Sequence, residues 1–110
     1  MRKYSFNLID RKVLYEVYHR KCFYCNELVY FTELHIDHII PENLLSKPIQ
    51  FDSIKRKYEL SNDFDINSYY NWVPCHSNCN KRKGGELFSK ATTLFYLELT
   101  KRKIPMLIKH

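Results

Sequence analysis

No apolar run in these 110 residues approaches the length of a membrane span. The N-terminus, basic and rich in tyrosine, lacks the uninterrupted apolar core of a secretory signal. A cytoplasmic protein with no membrane partner is therefore expected. Repeats, low-complexity tracts and linkers are also missing, which leaves a single domain over 1–110. Acidic residues are in the minority, 12 against 18 Lys and Arg, for a formal charge of +6. That excess points to a polyanionic partner, most simply nucleic acid; the plainer reading is a solvated basic surface. A chain this short buries only a modest core, so a structural metal would help to stabilise it. In an intracellular chain, four cysteines argue for metal before disulfide.

Glycine is nearly absent: the only two, Gly84 and Gly85, are adjacent and fit the end of a short helix. Ahead of them the periodicity predicts a short arm over 1–9 and then a helix over about 11–20. That helix would be capped by Asp10, with Val13, Leu14, Val17 and Tyr18 as its buried stripe. Residues 28–31 and 33–39 read as two strands. A helix over about 51–60 would turn Phe51, Ile54 and Tyr58 to one side, and 61–65 reads as a loop. The last helix is expected over about 86–103, with Phe88, Ala91, Phe95 and Leu99 along one face. The tail Ile104-Pro105-Met106-Leu107-Ile108 is apolar, and would dock on the domain, on a second copy or on a regulatory or sensory domain.

The stretch Leu34-His35-Ile36-Asp37-His38-Ile39-Ile40-Pro41 sets a carboxylate and two imidazoles within four residues. Asp37 offers hard oxygen ligands for a divalent cation, and an imidazole such as that of His38 is the side chain most often used as a general base. Neighbours on a regular strand face opposite ways, so the two can share a site only if the strand ends or bulges there.

Cys22-Phe-Tyr-Cys25 has the spacing of half a tetrahedral zinc site. The other half lies some fifty residues on, as His76-x-x-Cys79 or as Cys75-x-x-x-Cys79. Both spacings are compatible with zinc, and the plainer alternative is a set of core thiols. A site closed by four protein ligands stabilises the fold and cannot activate water.

Together, Asp37-His38-Ile39-Ile40-Pro41, Asn71-Trp72-Val73-Pro74 and Cys79-Asn80-Lys81-Arg82-Lys83-Gly84, with the knuckle at Cys22 and Cys25, resemble the HNH endonuclease family. The similarity covers roughly residues 20–90, and three motifs in order are far more specific than any one alone. The resemblance implies an α+β fold: a small zinc-stabilised ββα-metal core with flanking N- and C-terminal helices. It also implies hydrolysis of double-stranded DNA, with products ending in 5′-phosphate and 3′-hydroxyl.

On that resemblance His38 would deprotonate the attacking water, with Asp37 and Asn80 holding a catalytic Mg²⁺ or Mn²⁺. Asn71 would brace the loop that carries His38. In related domains the knuckle ligands stand at the fifth and eighth positions after the first asparagine, which selects His76 and Cys79 and leaves Cys75 out of register. Lys81, Arg82 and Lys83 would reach phosphates, or form a solvated face. His35 would contact DNA or serve as a structural histidine. Residues 64–72 also resemble HNH domains fused to sensory modules in bacterial anti-phage effectors. The competing expectation is a zinc-stabilised DNA-binding module without catalysis.

Overall fold

The computed structural model describes residues 3–83 and 86–108, and the side chains of all of these except 82, 83 and 104–108. In chain order the elements are α1 (Leu8–Val17), β1 (Leu34–His38), α2 (Pro48–Lys57), β2 (Trp72–His76), α3 (Ser77–Lys83) and α4 (Lys90–Ile108). Short 3₁₀ turns at Phe31–Glu33 and Glu42–Ser46 flank β1. The architecture is α+β, as expected: a two-stranded antiparallel sheet surrounded by helices.

α1 starts earlier than its periodicity suggests, because Asn7 rather than Asp10 caps it. The Asn7 side chain accepts from the backbone N–H of Asp10 (2.7 Å), closing the first turn. Asp10 is instead buried inside the first turn, where it accepts from the Tyr69 hydroxyl (2.7 Å). Leu14, Val17 and Tyr18 are buried as the stripe predicts, and Val13 packs beside them. The helix stops at two consecutive left-handed residues, His19 (φ 60°) and Arg20 (φ 62°), which turn the chain toward Cys22.

Residues 28–31 do not form the strand expected of them. Leu28 makes a lone bridge to Lys21, the Val29 N–H donates to the Arg20 carbonyl (2.9 Å), and a 3₁₀ turn begins at Phe31. Only Val29 of this segment is buried, whereas Leu28 and Tyr30 are exposed, so no face exists to lay against β1. β1 pairs instead with β2, in the register Leu34↔His76 to His38↔Trp72. α3 follows β2 directly, which completes a strand–strand–helix unit. Gly84 and Gly85, expected at its end, lie outside the described residues.

The main core gathers Leu14, Val17, Ile39, Ile40, Trp72 and Val73 with neighbours from α4. α2 begins at Pro48, whose fixed φ suits a first helical position. It presents Phe51 and Ile54 to that core, as the sequence indicates, and Tyr58 follows them. α4 buries a different face from the one expected: Thr93, Leu97 and Thr100 point inward and Phe95 is exposed. The threonines can do so because their hydroxyls find carbonyl acceptors, Thr100 Oγ1 donating to the Tyr70 carbonyl (2.6 Å) and Thr93 Oγ1 to that of Phe88 (3.3 Å). α4 continues through the apolar tail, whose side chains, and so its expected docking, lie outside the described set. Among the described residues no helix is long and apolar enough to cross a membrane.

Candidate metal centre and adjoining cleft

The turn after α1 delivers Cys22 and Cys25, while the β2–α3 junction delivers His76 and Cys79. Their ligand atoms all lie within 4.8 Å of one another. A tetrahedral ion with bonds of about 2.3 Å to sulfur has ligand–ligand edges of about 3.8 Å, so the cluster needs little movement to close on a metal. His76 Nδ1 faces the sulfurs, 3.3 Å from Cys25 Sγ and 4.0 Å from Cys79 Sγ. With Nε2–H donating to the Leu28 carbonyl (3.0 Å), the lone pair is left on Nδ1, the arrangement that orients a metal-binding imidazole. The donor set, thiols and one imidazole, is compatible with structural zinc. Cys75 is outside the cluster: it is fully buried with Cys22, Val29 and Leu34. Cys75 and His76 are neighbours on a strand and so leave it on opposite sides.

The thiols are poised unequally. Burial pushes Cys22 up, but the backbone N–H groups of Cys25, His76 and Tyr24, with the His76 ring, outweigh it and bring the thiol to about 7. Burial and the neighbouring Cys22 and Cys25 sulfurs drive Cys79 up to about 11. Hydrogen bonding to Cys22 holds the His76 imidazolium above its ordinary range. Metal binding must displace each proton still present, so affinity falls as pH falls. Below pH 7 both Cys22 and Cys79 carry protons in the metal-free protein. The apparent zinc affinity is therefore expected to drop by more than about tenfold per pH unit there, as competition with a chromogenic chelator would show.

Asp37 and His38 close β1, and both line a cleft of about 370 Å³ that Asn80 of α3 also lines. Strand pairing ends at His38, ahead of Pro41, and this is where the adjacent side chains come to share a site. Asp37 Oδ1 accepts from the backbone N–H of His38 (2.8 Å), and its Oδ2 accepts from the Tyr24 hydroxyl (2.5 Å). Burial, reinforced by the Asp37 carboxylate, keeps that phenol protonated by pushing it well above its ordinary range. His38 Nε2 lies 2.7 Å from Asn67 Oδ1 and 3.2 Å from the Trp72 indole nitrogen, with Glu42 Oε2 at 3.9 Å. One ring nitrogen can donate to Asn67 or accept from Trp72, but not both at once.

Asn71, fully buried, ties down the segment after His38. Its Oδ1 accepts from the Ile40 N–H (2.8 Å), and its Nδ2 donates to the Ile40 carbonyl (3.0 Å) and the Ile66 carbonyl (2.9 Å). Its backbone carbonyl accepts from the Ile39 N–H (2.9 Å). Asn71→Ala would strand three buried polar groups, so a loss of about 3 kcal/mol or more is expected in urea denaturation of the metal-loaded protein.

His35 is exposed opposite Cys75 and does not line the cleft of Asp37. Lys81 is exposed on α3, and the side chains of Arg82 and Lys83 are outside the described set. Tyr24, Asn67 and Glu42 escape a reading of the sequence. Glu42 follows Pro41 directly and Tyr24 sits inside the Cys-x-x-Cys, but neither spacing marks them as neighbours of Asp37 or His38. A larger cleft of about 570 Å³, between the 59–70 segment and α4, is lined by none of these residues. Compared with protein-family models, curated proteins and solved structures, the chain has no match in any of the three.

Proposed function

We propose that the chain is a metal-dependent endonuclease that hydrolyses phosphodiester bonds of double-stranded DNA, in the manner of the HNH (ββα-metal) enzymes its sequence resembles. The observation that carries this reading is the meeting of Asp37, His38 and Asn80 in one cleft beside a second, sulfur-rich cluster. Asp37 and Asn80 present hard oxygen donors and would hold Mg²⁺ or Mn²⁺. That cation, when bound, supplies charge stabilisation for the developing phosphorane and the leaving oxygen. His38 takes the proton of the attacking water. In the tautomer whose Nε2–H donates to Asn67, the lone pair is on Nδ1, and that atom would accept the proton. Asn71 fixes the backbone that aims the ring, and Tyr24 keeps the Asp37 carboxylate in one orientation. The Cys22, Cys25, His76 and Cys79 site is structural in this scheme, since it leaves no open position for water. A net charge of +6 favours approach of a polyanion.

The test is conversion of supercoiled plasmid to nicked or linear forms by the full chain, with and without added Mg²⁺. Omission of Mg²⁺ is preferable to chelation, which would also strip the knuckle. Cutting only with the added cation is the expected result. Binding without cutting, in Mg²⁺ and Mn²⁺ alike, would replace this reading by a zinc-stabilised DNA-binding module.

A further inference from the structure

The arm before α1 lies along the cleft rather than away from the domain. The Tyr4 N–H donates to Glu42 Oε2 (2.7 Å), and the Tyr4 ring packs on Trp72 with centroids 5.0 Å apart. Phe6 stands edge-on to Trp72 at 4.8 Å and packs on the His38 ring at 5.8 Å. Asn7 then caps α1, so the arm is held through both its polar backbone and its aromatic side chains. These contacts bring Lys3 to the lining of the cleft that Asp37, His38 and Asn80 share.

The charge around that cleft gives Lys3 a role. Among the described residues it is the one lysine or arginine lining the cleft, against the carboxylates of Asp37 and Glu42. A phosphodiester chain entering there meets two negative groups. A cation at Asp37 would answer the first, but Glu42, with its carboxylate turned to the arm, stays beside the path. Lysine is suited to offset the second, because a compact charge on a flexible stem can follow a backbone phosphate without demanding a fixed geometry.

Resting on the nuclease reading above, we propose that Lys3 binds a backbone phosphate of the nucleic acid next to the one being cut. The arm of residues 3–7 is then one wall of the substrate channel, set in place by Glu42 and Trp72. Lys3 is exposed and belongs to neither core cluster, so its replacement tests binding without threatening the fold.

The experiment compares the full chain with Lys3→Ala and Lys3→Arg, using a short labelled duplex in Mg²⁺ at several salt concentrations. Binding is measured in the His38→Ala background and cutting in the parent. Lys3→Ala is expected to weaken binding roughly fivefold and to lower the salt dependence by about one counterion, with the loss falling on KM rather than kcat. Lys3→Arg should restore most of the affinity. Unchanged binding, KM and salt slope in Lys3→Ala, with cutting intact, would overturn the role of Lys3 and leave the nuclease reading standing. If no chain cuts while Lys3→Ala still weakens binding, the nuclease reading falls and this proposal with it, Lys3 then being an ordinary contact of a DNA-binding surface.

Discussion

If the chain is the nuclease proposed above, His38→Ala is expected to lower Mg²⁺-dependent plasmid cutting by about 10²- to 10⁴-fold, the range supplied by a positioned general base. The variant removes the ring that Phe6, Trp72 and Asn67 surround. Some loss of stability follows from a side chain that is 8 % exposed, so zinc content and a thermal melt belong beside the activity assay. A folded, zinc-loaded His38→Ala protein that cuts at the parental rate would remove His38 from the mechanism. Asp37→Asn makes a useful companion, because it keeps the shape, and an acceptor for Tyr24, while discarding the negative charge that would hold the cation. Its deficit should respond to raised Mg²⁺, whereas that of a variant weakened only in DNA binding should not.

Loss of the knuckle should have the largest effect on the fold. Structural zinc contributes about 10–16 kcal/mol in small zinc domains, as much as the roughly 5–15 kcal/mol by which a typical domain is stable at all. Cys22→Ser, or prolonged chelation, is therefore expected to abolish the cooperative melt and the dispersion of an amide NMR spectrum. The two candidates for the fourth ligand separate cleanly. His76→Ala should lose zinc, because Nδ1 of that residue faces the sulfurs. Cys75→Ala should keep one zinc per chain and lose only about 1 kcal/mol, the effect of a small buried cavity. Zinc retained in His76→Ala and lost in Cys75→Ala would reverse the assignment.

Much of this arrangement is legible in the residues. Leu14, Val17 and Tyr18 announce the buried side of α1 by helical spacing, and the Cys-x-x-Cys pair marks a ligand cluster by its tight gap. Asn71 lies within a motif, and its bracing hydrogen bonds are those a buried amide makes best. Periodicity fails where polar groups take core positions: Thr93 and Thr100 look solvent-facing until the carbonyls that accept from them are known. It fails again at 28–31, where an apolar run bends into the knuckle instead of pairing. The arm, Asn67 and Glu42 cannot be found by spacing, since the contacts that tie them to Trp72, His38 and one another mostly join residues far apart in the chain.

The knuckle and the sheet close the same long loop, and this bears on the order of folding events. Cys25 and His76 are 51 residues apart. Joining the ends of a loop that long costs about 3.5 kcal/mol of chain entropy before any constant term. β1 and β2 could pair only after a search of similar span, which makes an unassisted hairpin slow to nucleate. With an ion already gripping both ends, Leu34 needs to find His76 only across the short stretch that leads from Cys25. Refolding started with zinc present should then be much faster than refolding in which zinc is added last.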